Sequence, residues 1–196
     1  MPTNILHPIG KIVRLQIQPA GLKFGLKPDQ YYDPSKLMPT ETIALTPQGA
    51  FAREPQGAVL DIHHAEHPAS KNSGGRNDLS VGFTSHYAAM REQFGAHVAD
   101  GCAGENILIQ TSERVDLARL ASGLVIEHGA SKTRVRLQSF MVAKPCVPFS
   151  KYASHKEDGE ELKPVLQFLN DGMRGFYCAL EEAGEFTIAV GDEVFG

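Results

Sequence analysis

The sequence lacks tryptophan altogether and holds only three cysteines in 196 residues. Cys102, Cys146 and Cys178 are odd in number, widely spaced and never arranged as Cys-x-x-Cys, which argues against a disulfide framework and against a structural zinc knuckle. Free thiols in a reducing compartment are the expectation. No apolar run approaches the roughly 18 residues that a membrane helix needs. The opening residues Met1 to Pro8 lack the basic segment and apolar stretch of a secretory signal. The expectation is therefore a cytoplasmic protein with no membrane partner. Also missing is any cluster of five or more Lys/Arg, and with 19 basic against 23 acidic residues the net charge is -4. That composition omits the electrostatic footprint of a nucleic-acid binder, so no nucleic-acid partner is expected.

What is present is ordinary globular chemistry, 42% hydrophobic and 21% charged, with no internal repeat and no break in composition. One domain over residues 1–196 is expected. Apolar alternation marks a strand at Lys11 to Gln18, ended by Pro19 and Gly21. Further strands are expected at Glu41 to Thr46, Ala58 to Ile62, Asn106 to Gln110, Gly123 to Glu127, Thr133 to Val142, Gly175 to Leu180, Glu185 to Val190 and Glu193 to Phe195. The segment from Leu26 to Met38 carries no period and reads as a surface excursion holding Tyr31 and Tyr32. Two helices are expected. One is capped by Ser85, carries Tyr87, Met90 and Phe94 on one face and stops at Gly95; the other has Pro164 in its first turn and ends before Gly172. Many short strands with few helices predict a mainly β fold, a closed or nearly closed β-barrel with a few flanking α-helices.

Five stretches hold residues suited to chemistry. In Lys144-Pro145-Cys146-Val147-Pro148-Phe149 the prolines fix the backbone on either side of a lone thiol. Such a sulfur is either a ligand or reactive centre, or a small buried hydrophobe. Asp61-Ile62-His63-His64-Ala65-Glu66-His67 packs two carboxylates and three imidazoles, matching no metal motif in its spacing. Asn72-Ser73-Gly74-Gly75-Arg76-Asn77-Asp78 is a polar loop presenting one arginine. Gly101-Cys102-Ala103-Gly104-Glu105-Asn106 leads into a strand, with turn chemistry and a ligand-gripping mouth as competing readings. Asn170-Asp171-Gly172-Met173-Arg174-Gly175 sets an arginine fork between glycines, suited to phosphate and equally common in an exposed turn.

Taken in order, Asp61-x-His63-His64, Gly104-Glu105-Asn106-Ile107, Pro145-Cys146, and Gly172-Met173-Arg174-Gly175-Phe176-Tyr177 running to Gly191-Asp192-Glu193-Val194 resemble the MOSC family, the domain found at the C-terminus of molybdenum cofactor sulfurases. The likeness covers about residues 58–196, and residues 10–46 resemble the opening strands of stand-alone members. It implies a MOSC barrel of the pyruvate-kinase β-barrel type, with the family's cysteine at Cys146. In relatives that reduce N-hydroxylated compounds this cysteine ligates the molybdenum of a pterin cofactor; in others it is thought to carry sulfur as a persulfide. The resemblance accordingly implies a molybdenum-cofactor (molybdopterin) oxidoreductase acting on N-hydroxylated small molecules or bases. Cys146 would be the metal ligand, and Asp61, His63 and His64 would lie on the catalytic side. Arg76, Glu105, Asn106, Lys144 and Arg174 would be the cofactor-binding residues. The alternatives it leaves are a sulfurtransferase or sulfur carrier using a Cys146 persulfide, and a non-catalytic pterin-binding module. A separate electron-donor or sulfur-donor protein is implied, and the pyridoxal phosphate domain of full-length sulfurases has no counterpart in this chain. Leu60 stands where many relatives carry glycine, and Lys144 where arginine is frequent, which keeps the charge without the fork.

Overall fold

A computed structural model describes residues 6–157 and 159–196. Met1 to Ile5, part of the stretch read for a secretory signal, lie outside the described residues. The fold is mainly β: a seven-stranded mixed barrel with a second sheet and three helices. The barrel strands are β1 (Pro8–Ile17), β8 (Leu79–Phe83), β9 (Ile107–Gln110), β10 (Leu124–Glu127), β11 (Arg134–Val142), β12 (Phe176–Leu180) and β14 (Glu193–Phe195). Their order is β14-β10-β11-β12-β8-β9-β1, and β1 pairs back onto β14 to close the ring. All barrel pairings are antiparallel except β8 with β9. Closure leaves no barrel edge to template aggregation.

The remaining strands are β2 (Lys23–Phe24), β3 (Tyr31–Tyr32), β4 (Met38–Thr40), β5 (Thr42–Thr46), β6 (Gly49–Glu54), β7 (Gly57–Leu60) and β13 (Phe186–Ala189). Strand β4 lies on the C-terminal half of β1, β13-β5-β6-β7 form a four-stranded antiparallel sheet, and β2 and β3 make a two-stranded ribbon. The helices are α1 (Thr84–Phe94), α2 (Val147–Ser154) and α3 (Gly159–Phe168). Barrel and sheet share one core, with Ile12, Leu15, Val81, Phe83, Ile109, Leu137, Phe176 and Val194 among its buried members. The helices bury a second core against one end of the barrel, built on Tyr32, Tyr87, Met90, Phe149, Val165 and Met173. The site lies where the two cores meet.

All nine expected strands are present, within a residue or two at most ends. The short strands β2 and β4, strands β6 and β8, and helix α2 go beyond those expectations. Strand β8 is buried at every position, so its two faces show no alternation. Helix α2, at eight residues, is too short for a visible period. The segment read as a structureless excursion contains β3 and a 3-10 turn at Pro34–Lys36, and Tyr32 is buried. Ser85 is not a cap. Helix α1 follows Phe83, and the Ser85 hydroxyl donates instead to the Glu113 carbonyl at 2.8 Å. Pro164 lies inside α3, which begins at Gly159 with Glu160 and Glu161 in its first turn, where acidic side chains suit the helix dipole.

Candidate functional site

The barrel end that meets the helices surrounds a polar cavity of about 130 Å³. Gln18 follows β1, Ser80 and Val81 come from β8, Gly104 and Glu105 precede β9, and Phe176 and Tyr177 open β12. Leu22, Lys23 and Tyr32 come from the ribbon, and His63, Lys71, Ala143 and Arg174 from connecting loops.

A buried hydrogen-bond frame sets this wall. Asp61 Oδ2 accepts from the Gln18 backbone N–H at 2.8 Å and from Asn106 Nδ2 at 2.7 Å. Its Oδ1 faces the His63 backbone N–H at 2.9 Å and His63 Nδ1 at 3.1 Å. With four partners, this carboxylate is saturated. Asp61 is thus a clamp that orients His63, which does reach the cavity. Asn106 is equally committed: its Oδ1 accepts from the Ser80 N–H and hydroxyl at 3.1 and 3.0 Å. Both residues act through the groups they hold, and neither lines the cavity.

Arg174 is the centre of the arrangement. Helix α2 begins just after Cys146, whose backbone is extended and whose carbonyl accepts the Ser150 N–H at 2.9 Å. The same helix supplies Phe149, whose ring lies 5.0 Å from the Arg174 guanidinium carbon in cation-π geometry. Arg174 Nη1 faces the Cys146 sulfur at 3.9 Å and donates to the Lys144 carbonyl at 3.2 Å; Nη2 donates to the Ala103 carbonyl at 3.4 Å. Its Nε is buried with no partner. Burial pulls the guanidinium pKa down, but Cys146 and the tyrosines Tyr32, Tyr177 and Tyr87 outweigh it and hold the pKa above its ordinary value. The following Gly175 has φ +111, and a Cβ there would lie 2.7 Å from the Val81 carbonyl oxygen. Only glycine lets this turn press against β8.

Two lysines that the sequence did not single out complete the cationic lining. Lys71 has its pKa lowered, first by burial and then by Lys23. Lys23, Lys71 and Arg174 all face one small cavity, and none makes an ion pair with a carboxylate among the described residues. Three cations with no paired carboxylate give this end of the barrel a positive field, although Lys23 and Lys71 are also exposed to solvent. Glu105, also in the lining, makes no ion pair with any of the three and is charged only above its raised pKa. Burial raises its pKa to about 7, against the opposing effects of its own backbone N–H, the Tyr87 hydroxyl, Arg174 and Arg14. Tyr87 donates to Glu105 Oε2 at 2.9 Å and is itself fixed by the Ala103 N–H at 3.0 Å, while Glu105 Oε1 is buried without a partner.

Three expected residues stand elsewhere. Arg76 is exposed, and its guanidinium folds back onto the Ser73 carbonyl and hydroxyl at 3.1 and 3.2 Å, because the polar loop satisfies itself. His64 is buried on the far side, against Phe51 at the four-stranded sheet, with burial lowering its pKa. His63 and His64 lie in a turn, closed by the His64 N–H to the Asp61 carbonyl at 2.8 Å, that sends the two side chains to different sides. Lys144 is exposed and contributes only its carbonyl. Of the other cysteines, Cys102 is buried beside the site with its thiol pKa pushed up to about 12 by burial, and Cys178 is core.

The fold is a closed mixed barrel with one half-buried thiol near its rim and a cavity there lined by three cationic side chains. The chain belongs to the MOSC domain family, whose model matches residues 69–195. Among solved structures, the fold is similar to that of the YuaD protein from Bacillus subtilis, with a TM-score of 0.59 and 13% identity, covering 97% of each chain. It is also similar to YiiM from Geobacillus stearothermophilus, with a TM-score of 0.53 and 15% identity, covering 95% of this chain and 74% of that one. No curated protein matches.

Proposed function

We propose that the protein holds a molybdenum cofactor through Cys146 and reduces N-hydroxylated small molecules with electrons from a separate donor protein. The observation that carries this reading is the half-buried Arg174, which lines the cavity with Lys23 and Lys71 and reaches out of it to the Cys146 sulfur at 3.9 Å. The donor set suits such a group. Among the described residues no three His, Cys, Asp or Glu side chains cluster to hold a metal ion, so a metal here must bring most of its own ligands and take one soft protein sulfur. Lys23, Lys71 and Arg174 would hold the anionic part.

The bound cofactor would supply oxygen-atom transfer. The chain's own residues would do the rest. Arg174, held by Phe149 and by the Lys144 and Ala103 carbonyls, would present its guanidinium to an oxyanion in the cavity. Burial raises the Glu105 carboxyl pKa to about 7, so it would keep a proton into the neutral range, and reduction of a hydroxylamine to an amine and water consumes protons. His63 is held in one orientation by Asp61 at the edge of the same cavity.

A second reading has its own support. The cavity of about 130 Å³ is smaller than the roughly 300–1,000 Å³ of ordinary cofactor pockets, which suits a persulfide on Cys146 and a small sulfur oxyanion. Metal and sulfur analysis of protein purified from a molybdenum-supplied host separates the two. Stoichiometric molybdenum that disappears in a folded Cys146→Ser variant supports the cofactor. Metal-free protein carrying labile sulfur on Cys146 replaces it with the sulfur carrier.

A further inference from the structure

Outside the cation cavity, three of the chain's five tyrosines line one surface groove. We propose that this groove, about 380 Å³ in volume, is a binding site for a planar aromatic ligand carrying a positive charge. Its walls are Tyr31, Tyr32, Tyr152 and His155, and each ring packs against another. Tyr31 stacks on Phe24 with centroids 5.6 Å apart, Tyr32 meets Tyr152 at 5.5 Å, and His155 lies on His97 at 4.0 Å. Rings held this way lose little entropy on binding. Tyr31 is 57% exposed and is the sole aromatic among the strongly exposed large apolar side chains of the described residues. An aromatic face kept in water while its neighbours are packed is available for stacking.

Charge decides the class of ligand. Lys151, the groove's lysine, is paired with Glu157 at 2.7 Å. Asp29 makes no such pair, so beyond the Lys151–Glu157 pair the lining holds one carboxylate, Asp29, and one imidazole, His155. Tyrosine faces and a carboxylate favour an organic cation and disfavour an anion. Tyr32 also lines the cation cavity, so one ring separates a groove for positive charge from a cavity for negative charge. The thiol is close along the chain, since Pro148, Lys151, Tyr152 and His155 belong to the helix that follows Cys146 or to its cap. The assignment stands independently of any metal.

The test is ligand-observed NMR titration of the full chain with 1-methylnicotinamide, a permanently charged ring, against neutral nicotinamide of nearly the same shape. The expected result is saturable binding of the cation at least fivefold tighter than the neutral ring. Tyr31→Ala should weaken the cation about tenfold, Tyr31→Phe should keep it, and Asp29→Asn should bring the two ligands together. Tyr31 is half in solvent, so its loss leaves the core intact, and a thermal melt identical to wild type verifies that. Equal affinity for both rings, or binding unchanged in Tyr31→Ala, overturns the proposal. Binding that disappears in Arg174→Ala but survives Tyr31→Ala places the ligand in the other cavity and overturns it too. Because the metal content is not read, failure here leaves the cofactor reading standing.

Discussion

Glu105 is buried with one carboxylate oxygen on Tyr87 and the other without a partner, and burial lifts its pKa from 4.5 to about 7. Between those values the folded protein retains a proton that the unfolded chain has released, so stability falls as pH rises through that window and the full cost is present above about pH 7. The size is about 3 kcal/mol. Glu105→Gln removes the titration while keeping the shape; urea unfolding at pH 5 and pH 8 should show a smaller loss between the two pH values in the variant, by up to that amount. An identical loss in both proteins would mean that the carboxyl ionises freely. Arg174 gives a second residue-level prediction. Arg174→Lys keeps the charge but loses the fork and the flat face over Phe149, so affinity for a cavity anion such as molybdate should fall about tenfold by calorimetry with the melting temperature little changed. Cys146 and Arg174 stand out in the sequence because prolines and glycines beside them restrict or free the backbone. Lys23 and Lys71 do not, since a lysine in a two-residue strand or a polar loop has the same local signature whether it faces solvent or a cavity.

Elements explain why these residues converge. Strand β12 starts immediately after Gly175, in register with β8 through Phe176 opposite Val81. Gly175→Ala would impose both a strained φ and a Cβ 2.7 Å from the Val81 carbonyl oxygen. Gly57 has φ +129, but nothing lies within 4 Å of the place a methyl group would take there, so Gly57→Ala carries the strain alone, about 1 kcal/mol. Thermal melts of the pair should show Gly175→Ala losing at least twice the stability of Gly57→Ala, with anion binding lost only in the former. Equal losses would show that the close approach of the turn to β8 is unimportant. The nine strands legible in sequence alternate or carry flanking turn residues. Strand β8, buried throughout, and α2, started by Pro148 and too short to show a period, need the tertiary structure to become visible. Those two elements carry the most site geometry: β8 supplies Ser80 and Val81, and α2 follows Cys146 and supplies Phe149.

At the scale of the molecule, the barrel is closed by the first strand meeting the last, Gly10 opposite Val194 and Lys11 opposite Glu193. That fold class is legible from the many short strands, but which strands close the ring depends on contacts nearly the whole chain apart, and local pattern does not encode them. Such closure ties cooperativity to β14, whose two neighbours β1 and β10 both lose a partner if it detaches. The strand's alternation supplies the test, because Glu193 is exposed and Val194 fully buried in the barrel core. Glu193→Ala removes only an exposed ion pair with Lys11 at 3.8 Å and should shift stability by less than about 1 kcal/mol. Val194→Asp places an unpaired carboxylate among Ile12, Ile126 and their neighbours, a change that costs several kcal/mol. Expressed side by side, the first should melt like wild type, and the second should be insoluble or melt more than about 10 °C lower, with its loss of anion binding following its loss of fold. A soluble, cooperatively folded Val194→Asp protein would mean that β14 can leave the ring, and that the rim bearing Arg174 and Cys146 does not depend on closure.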